Sequence, residues 1–567
     1  MKESVLAAEV FGRDDTFDSR TDSVVRVEAR NLRARLNEYY RGEGSRDPVI
    51  IDLPKGTYVP VFRPGSAAAA LPLWRRKLRL RGIAALLTIL LLGGAAWWFV
   101  KHRPDYRRAQ SPSMAVLPFL NLASGPDEAY FSDGFVEDLT TDLGSLPGLR
   151  VAARTSAFQF RGRNEDVREI GRKLGVGMLL EGSVRRQAAR VKITAQLIDT
   201  RSGYHVWART LERDIADIEE AEREVVRAVA KTLAVGSAEI ASPHIPKPEA
   251  REAYWRGRYL RGNWQEPEES LRYFERAVAL DPEFAEAWAA LASSRSALAF
   301  QMVGSAAEQA GQARTAARKA IALDPAVPEA YLTLGALAYS YDYDWPAAER
   351  SYRRALELNG NSAGAHRAYA LALTAHGRFR EAVEHLQTAQ ELDPLSIVST
   401  NNLAVTLYLS RRYDEAIQVA KRHLDMDAKF FPARIMIGVC HIAQGKLAEG
   451  VVELERGTTE GGRPVEFVGD LGYALARSGR LVDAAAAQAE LEAIEKAKGT
   501  AGVALARIHA GRGESKEAIE CLRHAADAHV ADVTFIGVDP MFDTLRGQKD
   551  FAALCARLGL PNGSRGR

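Results

Sequence analysis

The chain has 567 residues, of which 26% are charged and 47% apolar, a composition typical of globular domains rather than of disordered, collagenous or coiled-coil chains. This length predicts three or four folded units. The 76 basic and 73 acidic residues give a net charge of +3, which excludes a global attraction to polyanions and confines any nucleic-acid site to a local patch. Three cysteines without a CxxC pair exclude a disulfide framework and a thiolate zinc site.

Residues 1–65 predict a helix followed by a β-hairpin. Asp22 is placed to cap the helix, and two β-rich runs flank the turn signal Pro54-Lys55-Gly56. Apolar residues at helical spacing predict the inward face of the helix, which consists of Val25, Ala29, Leu32, Leu36 and Tyr39.

Basic side chains occupy another face of this helix and the hairpin turn. Arg26, Arg30 and Arg33 lie four and three residues apart, and Lys55 lies in the turn. Such a pair of elements can place arginines in a major groove and a lysine on neighbouring phosphates. The alternative is that the arginines only solvate an amphipathic helix, because the region holds eleven acidic and eleven basic residues.

The runs VRVEARNLRARL and LPKGTYVPVF resemble the recognition helix and the wing of OmpR-type winged helix-turn-helix domains. The resemblance covers the second half of that fold and implies DNA binding, with Arg26, Arg30, Arg33 and Lys55 facing the DNA. The family's opening strands and first helix would lie before Met1. We therefore expect a truncated domain or a start site that is set too late.

A basic linker at 66–81 leads into nineteen residues without a charge, 82–100. At about 1.5 Å per residue, a helix of this length nearly spans the ~30 Å hydrocarbon core of a bilayer. Trp97 and Trp98 end the run as interfacial aromatics do. Five basic residues before it and four after it favour a cytoplasmic N-terminus. We expect a single-pass protein of the bacterial inner membrane, with its later domains in the periplasm.

Residues 113–236 predict a small α/β domain with a helix near its start and three consecutive strands before its last helix. The runs AVLPFLNL, YFSDGFVEDL, DVREIGRKLGV and LLEGSVRR resemble the FlgO/TolB-N-terminal-like domain. That resemblance implies an envelope module without catalytic residues. Asp133, Glu137 and Asp138 are interpreted as a solvated helix face rather than as an acid/base pair.

No motif predicts catalysis or a bound group. The sequence has no GxxxxGK[ST] phosphate loop and no HExxH zinc motif, and a nucleophile elbow is not expected. We therefore expect no enzyme activity, no cofactor and no metal.

Internal repeats fill residues 248–530. Similar blocks end in Leu280-Asp281-Pro282, Leu323-Asp324-Pro325 and Leu392-Asp393-Pro394, and glycines recur at multiples of 34 residues at Gly377, Gly445, Gly479 and Gly513. The period and the small, aromatic and helix-ending positions resemble the tetratricopeptide repeat. This implies about seven repeats in an all-α superhelix, with a capping helix and tail at 531–567. Its concave groove would bind protein or peptide partners.

The expected fold is multidomain: a truncated winged helix, one transmembrane helix, a small α/β domain and a tetratricopeptide-repeat superhelix. This order resembles membrane-bound regulators of the ToxR/CadC kind. Two functions stay open. One is a signalling protein that binds partners through its repeats and acts on DNA through its N-terminal part; the other is an envelope scaffold without DNA binding. Similar α/β-plus-repeat tails resemble those attached to nucleotide cyclase domains, but no cyclase domain is recognised here.

Overall fold

A computed structural model describes residues 2–14, 17–65, 111–122, 129–236, 244–262, 267–301 and 305–561. The chain divides into two units, Met1–Ala109 and Gln110–Arg567. The expected span at 82–100 and the basic linker before it lie outside the described residues. Among the helices that are described, none combines the length and the apolar character needed to cross a bilayer.

The first unit contains two helices, a single 3₁₀ turn and a β-hairpin. Its elements are α1 (Glu3–Phe11), α2 (Val24–Arg41), the 3₁₀ turn Glu43–Arg46, β1 (Val49–Asp52) and β2 (Val61–Pro64). The two strands pair antiparallel, with Val49 opposite Pro64. Helix α2 begins after Ser23, one residue later than the expected cap, and the Asp22 carboxylate accepts the N–H of Val24 at 3.0 Å.

The inward face predicted for α2 is only partly covered. Val25 and Ala29 are buried, whereas Leu32 and Tyr39 are 50% and 44% exposed. The prediction was wrong for these two residues because helical spacing assigns residues to a face but does not show what packs against it. Leu32 instead lines an open apolar groove of about 400 Å³ between α1, α2 and the hairpin.

The second unit begins with an α/β domain built on one sheet. Its elements are β3 (Ser113–Val116), β4 (Leu120–Asn121), α3 (Ala129–Ser145), β5 (Arg150–Val151), α4 (Arg154–Ala157), α5 (Val167–Leu174), β6 (Met178–Gln187), β7 (Arg190–Asp199), β8 (His205–Asp214) and α6 (Ile218–Thr232). The strand order is β5-β3-β6-β7-β8, and β4 also pairs with β6. The pairs β3–β5 and β3–β6 are parallel, and β6, β7 and β8 form an antiparallel meander. Helices α3 and α6 cover one face and α5 covers the other.

Eight antiparallel helix pairs follow in the described residues, where the sequence predicts about seven repeats. They are α7 (Pro248–Gly262) with α8 (Pro267–Leu280), α9 (Ala285–Phe300) with α10 (Ala306–Leu323), α11 (Pro328–Ser340) with α12 (Trp345–Leu358), α13 (Ala363–Ala375) with α14 (Phe379–Leu392), α15 (Ile397–Leu409) with α16 (Tyr413–Met426), α17 (Phe431–Ala443) with α18 (Leu447–Glu460), α19 (Val465–Arg477) with α20 (Leu481–Lys498), and α21 (Gly502–Arg512) with α22 (Ser515–Asp527). The first helices of successive pairs contact one another from α9 to α21, and these contacts form the inner side of a superhelix.

The turn inside each later pair is left-handed at one position that recurs every 34 residues. Four of these residues are the glycines predicted to hold the register, and Gly377, for example, has φ +72°. At the other two positions, Tyr343 (φ +54°) and Arg411 (φ +68°) adopt the same conformation. A left-handed backbone costs a residue with a Cβ roughly 1–2 kcal/mol, so these two side chains must offset that cost through contacts elsewhere.

The chain ends in 3₁₀ turns, Ala531–Phe535 and Pro540–Leu545, and a short helix, α23 (Lys549–Arg557). These elements, here called the C-terminal segment (residues 530–561), share one hydrophobic core with the later helix pairs. Phe542, Leu545 and Phe551 are fully buried in it. The first two pairs instead share a core with the α/β domain, and α11 contributes to both cores.

Candidate functional site

The four residues predicted to face DNA differ in how the first unit uses them. The Arg33 guanidinium donates to the backbone carbonyls of Leu53 (2.7 Å), Pro54 (3.2 Å) and Thr57 (3.0 Å). Arg33 therefore fastens the hairpin turn to α2. Arg26 forms an exposed ion pair with Glu3 at 3.0 Å.

Arg30 and Lys55 are, like Arg26, exposed. Neither has a hydrogen bond or ion pair within the described part of the unit. The left-handed Gly56 (φ +88°) follows Lys55 and completes the turn. DNA contact by these residues remains a prediction.

A tryptophan of the first helix pair packs against the α/β domain and attaches it to the array. Trp255, on α7, is 2% exposed and packs edge-on against Phe131 of α3 with ring centroids 5.1 Å apart. Its indole N–H donates to the Asp138 carboxylate at 2.7 Å. Gly134 makes room for the ring, since a Cβ at that position would lie 2.3 Å from Trp255 Cγ.

Glu137 and Asp138 of α3 point into this junction and Asp133 is buried within the α/β domain, which overturns the interpretation of these acids as a solvated face. Asp133 is 4% exposed and accepts both its hydrogen bonds from Arg161 at 2.7 Å. The buried Arg258 of α7 lies 2.7 Å from Glu137 and 2.5 Å from Asp138. The sequence shows three acids close together on a helix, but the cationic partner of Glu137 and Asp138 lies about 120 residues further along the chain.

Carboxyl groups outnumber arginines around a cavity of about 280 Å³ at the same junction. Burial and neighbouring carboxylates raise the pKa of Asp142 to about 7, and burial raises that of Glu286 to about 6. Burial likewise raises the pKa of Glu222, which faces Asp142. The pKa of Glu137 is lowered, because Arg258 and Arg154 outweigh its burial. The junction therefore holds protons at a pH where ordinary carboxyl groups have lost them.

A second attachment joins the α/β domain to the fourth and fifth helix pairs. The Asn361 amide donates to the carbonyls of Gly144 (2.7 Å) and Leu149 (2.9 Å). The buried Asp393 carboxylate accepts the hydroxyls of Thr155 and Ser156, each at 2.5 Å. The Asp393 in the repeat-ending Leu-Asp-Pro block is therefore also a docking residue.

The C-terminal segment fills the inner side of the later helix pairs. Tyr339 donates to Thr534 Oγ1 at 2.8 Å, and Arg507 lies 3.0 Å from Asp470 and 3.5 Å from Asp539. Arg411 donates to the Val538 carbonyl and lies 2.7 Å from the Asp543 carboxylate. The structure thus differs from the expectation of an open concave groove, because residues of the chain itself occupy that side of the array.

Tyr343 and Arg411, which lie where other repeats have a left-handed glycine, both contact the segment or the helix before it. Tyr343 donates to the Ala526 carbonyl at 3.3 Å and stacks on His529. Their missing glycines are a signal in the sequence that could have pointed to a special role for these two turns.

A larger cavity of about 810 Å³ stays open between the first two helix pairs, the fourth pair and the α/β domain. Four arginines and two carboxylates line it together with apolar side chains of α7 and α9. The arginines are Arg154, Arg258, Arg261 and Arg367.

One catalytic sequence motif is present without the structure that the motif requires. Residues 360–364 read GNSAG and match GxSxG, although no nucleophile elbow was expected. They follow helix α12 rather than a strand, and the Ser362 hydroxyl accepts the N–H of Ala365 at 3.2 Å. Ser362 is therefore a helix cap and not an exposed nucleophile.

Metal and thiol chemistry have no visible basis in the described residues. No group of three or more His, Cys, Asp or Glu side chains among them could hold a metal ion. Cys440, Cys521 and Cys555 are unpaired. Burial raises their thiol pKa to about 12, 11 and 11, so that they stay protonated near neutral pH.

Comparison with known proteins identifies the repeats. A model of the tetratricopeptide repeat matches residues 334–397 and 375–429. The chain is 37% identical over 250 residues to putative adenylate cyclase 3 of Rhizobium meliloti (strain 1021), covering 43% of this chain and 42% of that protein. It is 41% identical over 85 residues to the E3 ubiquitin-protein ligase CHIP of Arabidopsis thaliana, covering 15% of this chain and 30% of that one.

The chain therefore spans less than half the length of either curated relative. Among solved structures, PilF of Pseudomonas aeruginosa is 18% identical and covers 36% of this chain and 91% of its own, with a TM-score of 0.29. The 34-residue register, the stacked helix pairs and the matching model agree with one another. Residues 334–429 are tetratricopeptide repeats, which suggest a role in protein–protein interaction or assembly.

Proposed function

We propose that this chain is a membrane-anchored regulatory protein whose repeat array binds a partner protein. The observation that carries the proposal is the stack of eight described helix pairs, within which residues 334–429 match the tetratricopeptide repeat. Stacked repeats present extended surfaces that suit protein or peptide partners. The array acts by binding rather than by catalysis.

The partner meets the outward side of the array in this proposal, because the chain itself fills the inner side of the later pairs. Exposed apolar residues on two neighbouring outer helices support that placement: Val452 on α18 is 62% exposed and Val482 on α20 is 84% exposed. The Arg480–Glu455 ion pair (2.7 Å) joins these two helices.

Residues 82–100 form the proposed single span, with the N-terminus in the cytoplasm and the repeats in the periplasm of a bacterial cell. The support is the uncharged run and the basic residues on both sides of it. Compartment-specific reporters fused to each end of the whole chain test this arrangement. Activity of both reporters on one side of the membrane would contradict it.

In this proposal the N-terminal unit regulates transcription by binding DNA, and Arg30 and Lys55 contact the DNA phosphates. Both are exposed, whereas Arg33 is committed to the hairpin and Arg26 to Glu3. Retention of the membrane-inserted whole chain on genomic DNA is measured at two salt concentrations. We expect Arg30→Ala and Lys55→Ala each to lower the slope of log affinity against log salt by about one, as for a lost phosphate contact.

Arg46→Ala is the matched control, because Arg46 is equally exposed and loses the same charge but lies in the 3₁₀ turn after α2. Arg33→Ala is not a useful variant, since it also releases the hairpin turn. Equal retention of all variants would contradict the DNA output.

An envelope scaffold without DNA binding is the second candidate. The intramolecular contacts of Arg33 and Arg26 favour it, since they remove two of the four predicted DNA contacts. A photo-crosslinker at residue 482 of the whole chain tests the function that both candidates share. We expect crosslinks to one defined protein there and none from the fully buried residue 468. Crosslinks without salt-dependent DNA retention would select the scaffold.

A further inference from the structure

The open cavity between the α/β domain and the array has the size of a small-molecule site. Its volume is about 810 Å³, within the roughly 300–1,000 Å³ common for ligand pockets. Leu260, Ala297 and Leu298 give it an apolar wall. The cavity touches three parts of the molecule at once, because the first two helix pairs, the fourth pair and the start of α4 all contribute to it.

Most charges around the cavity are already paired. Arg154 lies 3.5 Å from Glu137, Arg258 lies 2.7 Å from the same carboxylate, and Arg261 lies 3.1 Å from Glu329. The Asp393 carboxylate accepts the Thr155 and Ser156 hydroxyls. These contacts leave one cation of the lining without a partner.

That cation is Arg367 on α13. Its guanidinium forms no hydrogen bond or ion pair with any residue that the structure describes. Burial lowers the pKa of Arg367, and only Asp393 offsets this effect. The Asp393 carboxylate is already bonded to the Thr155 and Ser156 hydroxyls. A partly buried arginine that has no direct ion pair is destabilising unless an anion completes it.

Two further groups on the cavity wall are ready for an anion. Ala363 and Gly364 begin α13 and line the cavity. The first amides of a helix lack partners inside the helix and favour negative charge. Ser294, also in the lining, is 8% exposed, and its buried hydroxyl, which has no hydrogen-bond partner among the described residues, can reach an anion by rotation of the side chain.

We infer that this cavity binds a small amphiphilic anion, whose carboxylate or phosphate group lies between Arg367 and the start of α13 and whose apolar body lies along Leu260 and Leu298. A planar guanidinium can donate two parallel hydrogen bonds to either head group. The inference does not depend on membrane anchoring or on DNA binding.

Calorimetric titration of the purified whole chain tests the site with four soluble probes. Phenyl phosphate and 3-phenylpropionate carry the two head groups, 3-phenylpropan-1-ol is neutral, and inorganic phosphate lacks an apolar body. We expect at least one of the two organic anions to bind at least tenfold more tightly than the alcohol and than inorganic phosphate. The tighter of the two identifies the head group.

Arg367→Gln is expected to weaken the better anion at least tenfold and to leave the thermal midpoint of the ligand-free chain unchanged or higher. Arg380→Gln is the matched control, because Arg380 is an exposed arginine of the next helix outside the cavity, and it should change affinity less than twofold. Ala297→Phe, at an exposed position of the cavity wall, should block the apolar body.

Three results would overturn the inference. One is that neither organic anion binds, or that the alcohol binds equally well. Another is that binding survives both Arg367→Gln and Ala297→Phe. The third is a clear fall of the ligand-free midpoint in Arg367→Gln, since Arg367 would then be a structural residue.

Discussion

The two halves of the repeat array are completed by different parts of the chain. The first two helix pairs share a hydrophobic core with the α/β domain, and the later pairs share another with the C-terminal segment. Each junction holds arginines of the array between carboxylates: the buried Arg251 and Arg258 in the first and the largely buried Arg507 in the second. A repeat cannot bury its apolar faces alone. Here the α/β domain and the C-terminal segment cover them, and both junctions place arginine between carboxylates.

The two junctions differ in their surplus of acid. The first surrounds its arginines with seven carboxyl groups, namely Glu137, Asp138, Asp142, Glu219, Glu222, Glu286 and Glu329. The second surrounds Arg507 with three carboxyl groups, those of Asp470, Asp532 and Asp539, and is covered by apolar side chains such as Phe542 and Leu545. We therefore expect the C-terminal segment to be an integral part of its core, and protonation to affect the docking of the α/β domain more strongly than that of the segment.

The variant with the largest expected effect tests whether the C-terminal segment is part of the hydrophobic core of the later helix pairs. Leu545 is fully buried, so Leu545→Ala should lower the free energy of unfolding by roughly 2–5 kcal/mol. Urea unfolding measures this loss, and hydrogen exchange should speed up in α13–α21 but not in α3. Leu481→Ala is the matched control at a residue that is 56% exposed. Equal losses from both variants would contradict the assignment.

The next variant loosens the other junction. In Gly134→Ala the new Cβ would lie 2.3 Å from Trp255 Cγ, so α3 or the ring must move at a cost of roughly 1–3 kcal/mol. Hydrogen exchange should rise in α3 and α7 while the later pairs keep their protection. Gly311→Ala, in a helix with no atom within 4 Å of the new Cβ, should instead stabilise by roughly 0.5–1 kcal/mol. If both substitutions lowered, or both raised, the free energy of unfolding, the steric argument would be refuted.

The pH dependence separates the junctions further. The folded pKa of Asp142 is about 7 and its unfolded pKa about 4, so the folded state binds the extra proton between these values. Stability therefore falls as pH rises from about 4 to 7, by up to about 1.4 kcal/mol per pH unit. Above about pH 7 the stabilisation that comes from protonated Asp142 is lost. The groups facing Asp142 are Asp138, Glu219, Glu222 and Glu286.

Asp142→Asn should flatten this pH dependence in the hydrogen exchange of α3 and α7. Asp470, whose pKa burial also raises to about 7, is the matched residue at the second junction. Asp470→Asn should act on α19 and the C-terminal segment instead. If either variant flattened both regions, the two junctions would not be separate.

The smallest effect concerns the turn at Arg411. Arg411→Gly removes the strain of φ +68° but also the contacts to Val538 and Asp543. These terms nearly cancel, and we expect a net change of about 1 kcal/mol or less. Hydrogen exchange of residues 537–545 should nevertheless rise, because their tether is gone. At Gly377, where the left-handed turn has no such tether, Gly377→Ala should only destabilise the turn.

Local patterns in the sequence predicted most elements but not the candidate site. Helix α2, the three-strand meander and the glycine register follow from spacing and turn residues, and the structure has them close to the predicted positions. The pairing of Arg258 with Glu137 and Asp138 could not be predicted, since residues about 120 apart are brought together only by docking. The predicted burial of Leu32 and Tyr39 was wrong for the same reason, because helical spacing does not show which part of a helix another element covers.

By itself, the sequence determined that this protein is a repeat array preceded by an α/β domain, because hydrophobic periodicity and turn chemistry act within a few dozen residues. Only the tertiary structure decided that the array closes around its own C-terminal segment, that the acids of α3 are buried against arginines, and that Arg367 lines an open cavity without a partner among the described residues. Those facts depend on which faces meet across the fold, and burial and charge pairing arise only when they do.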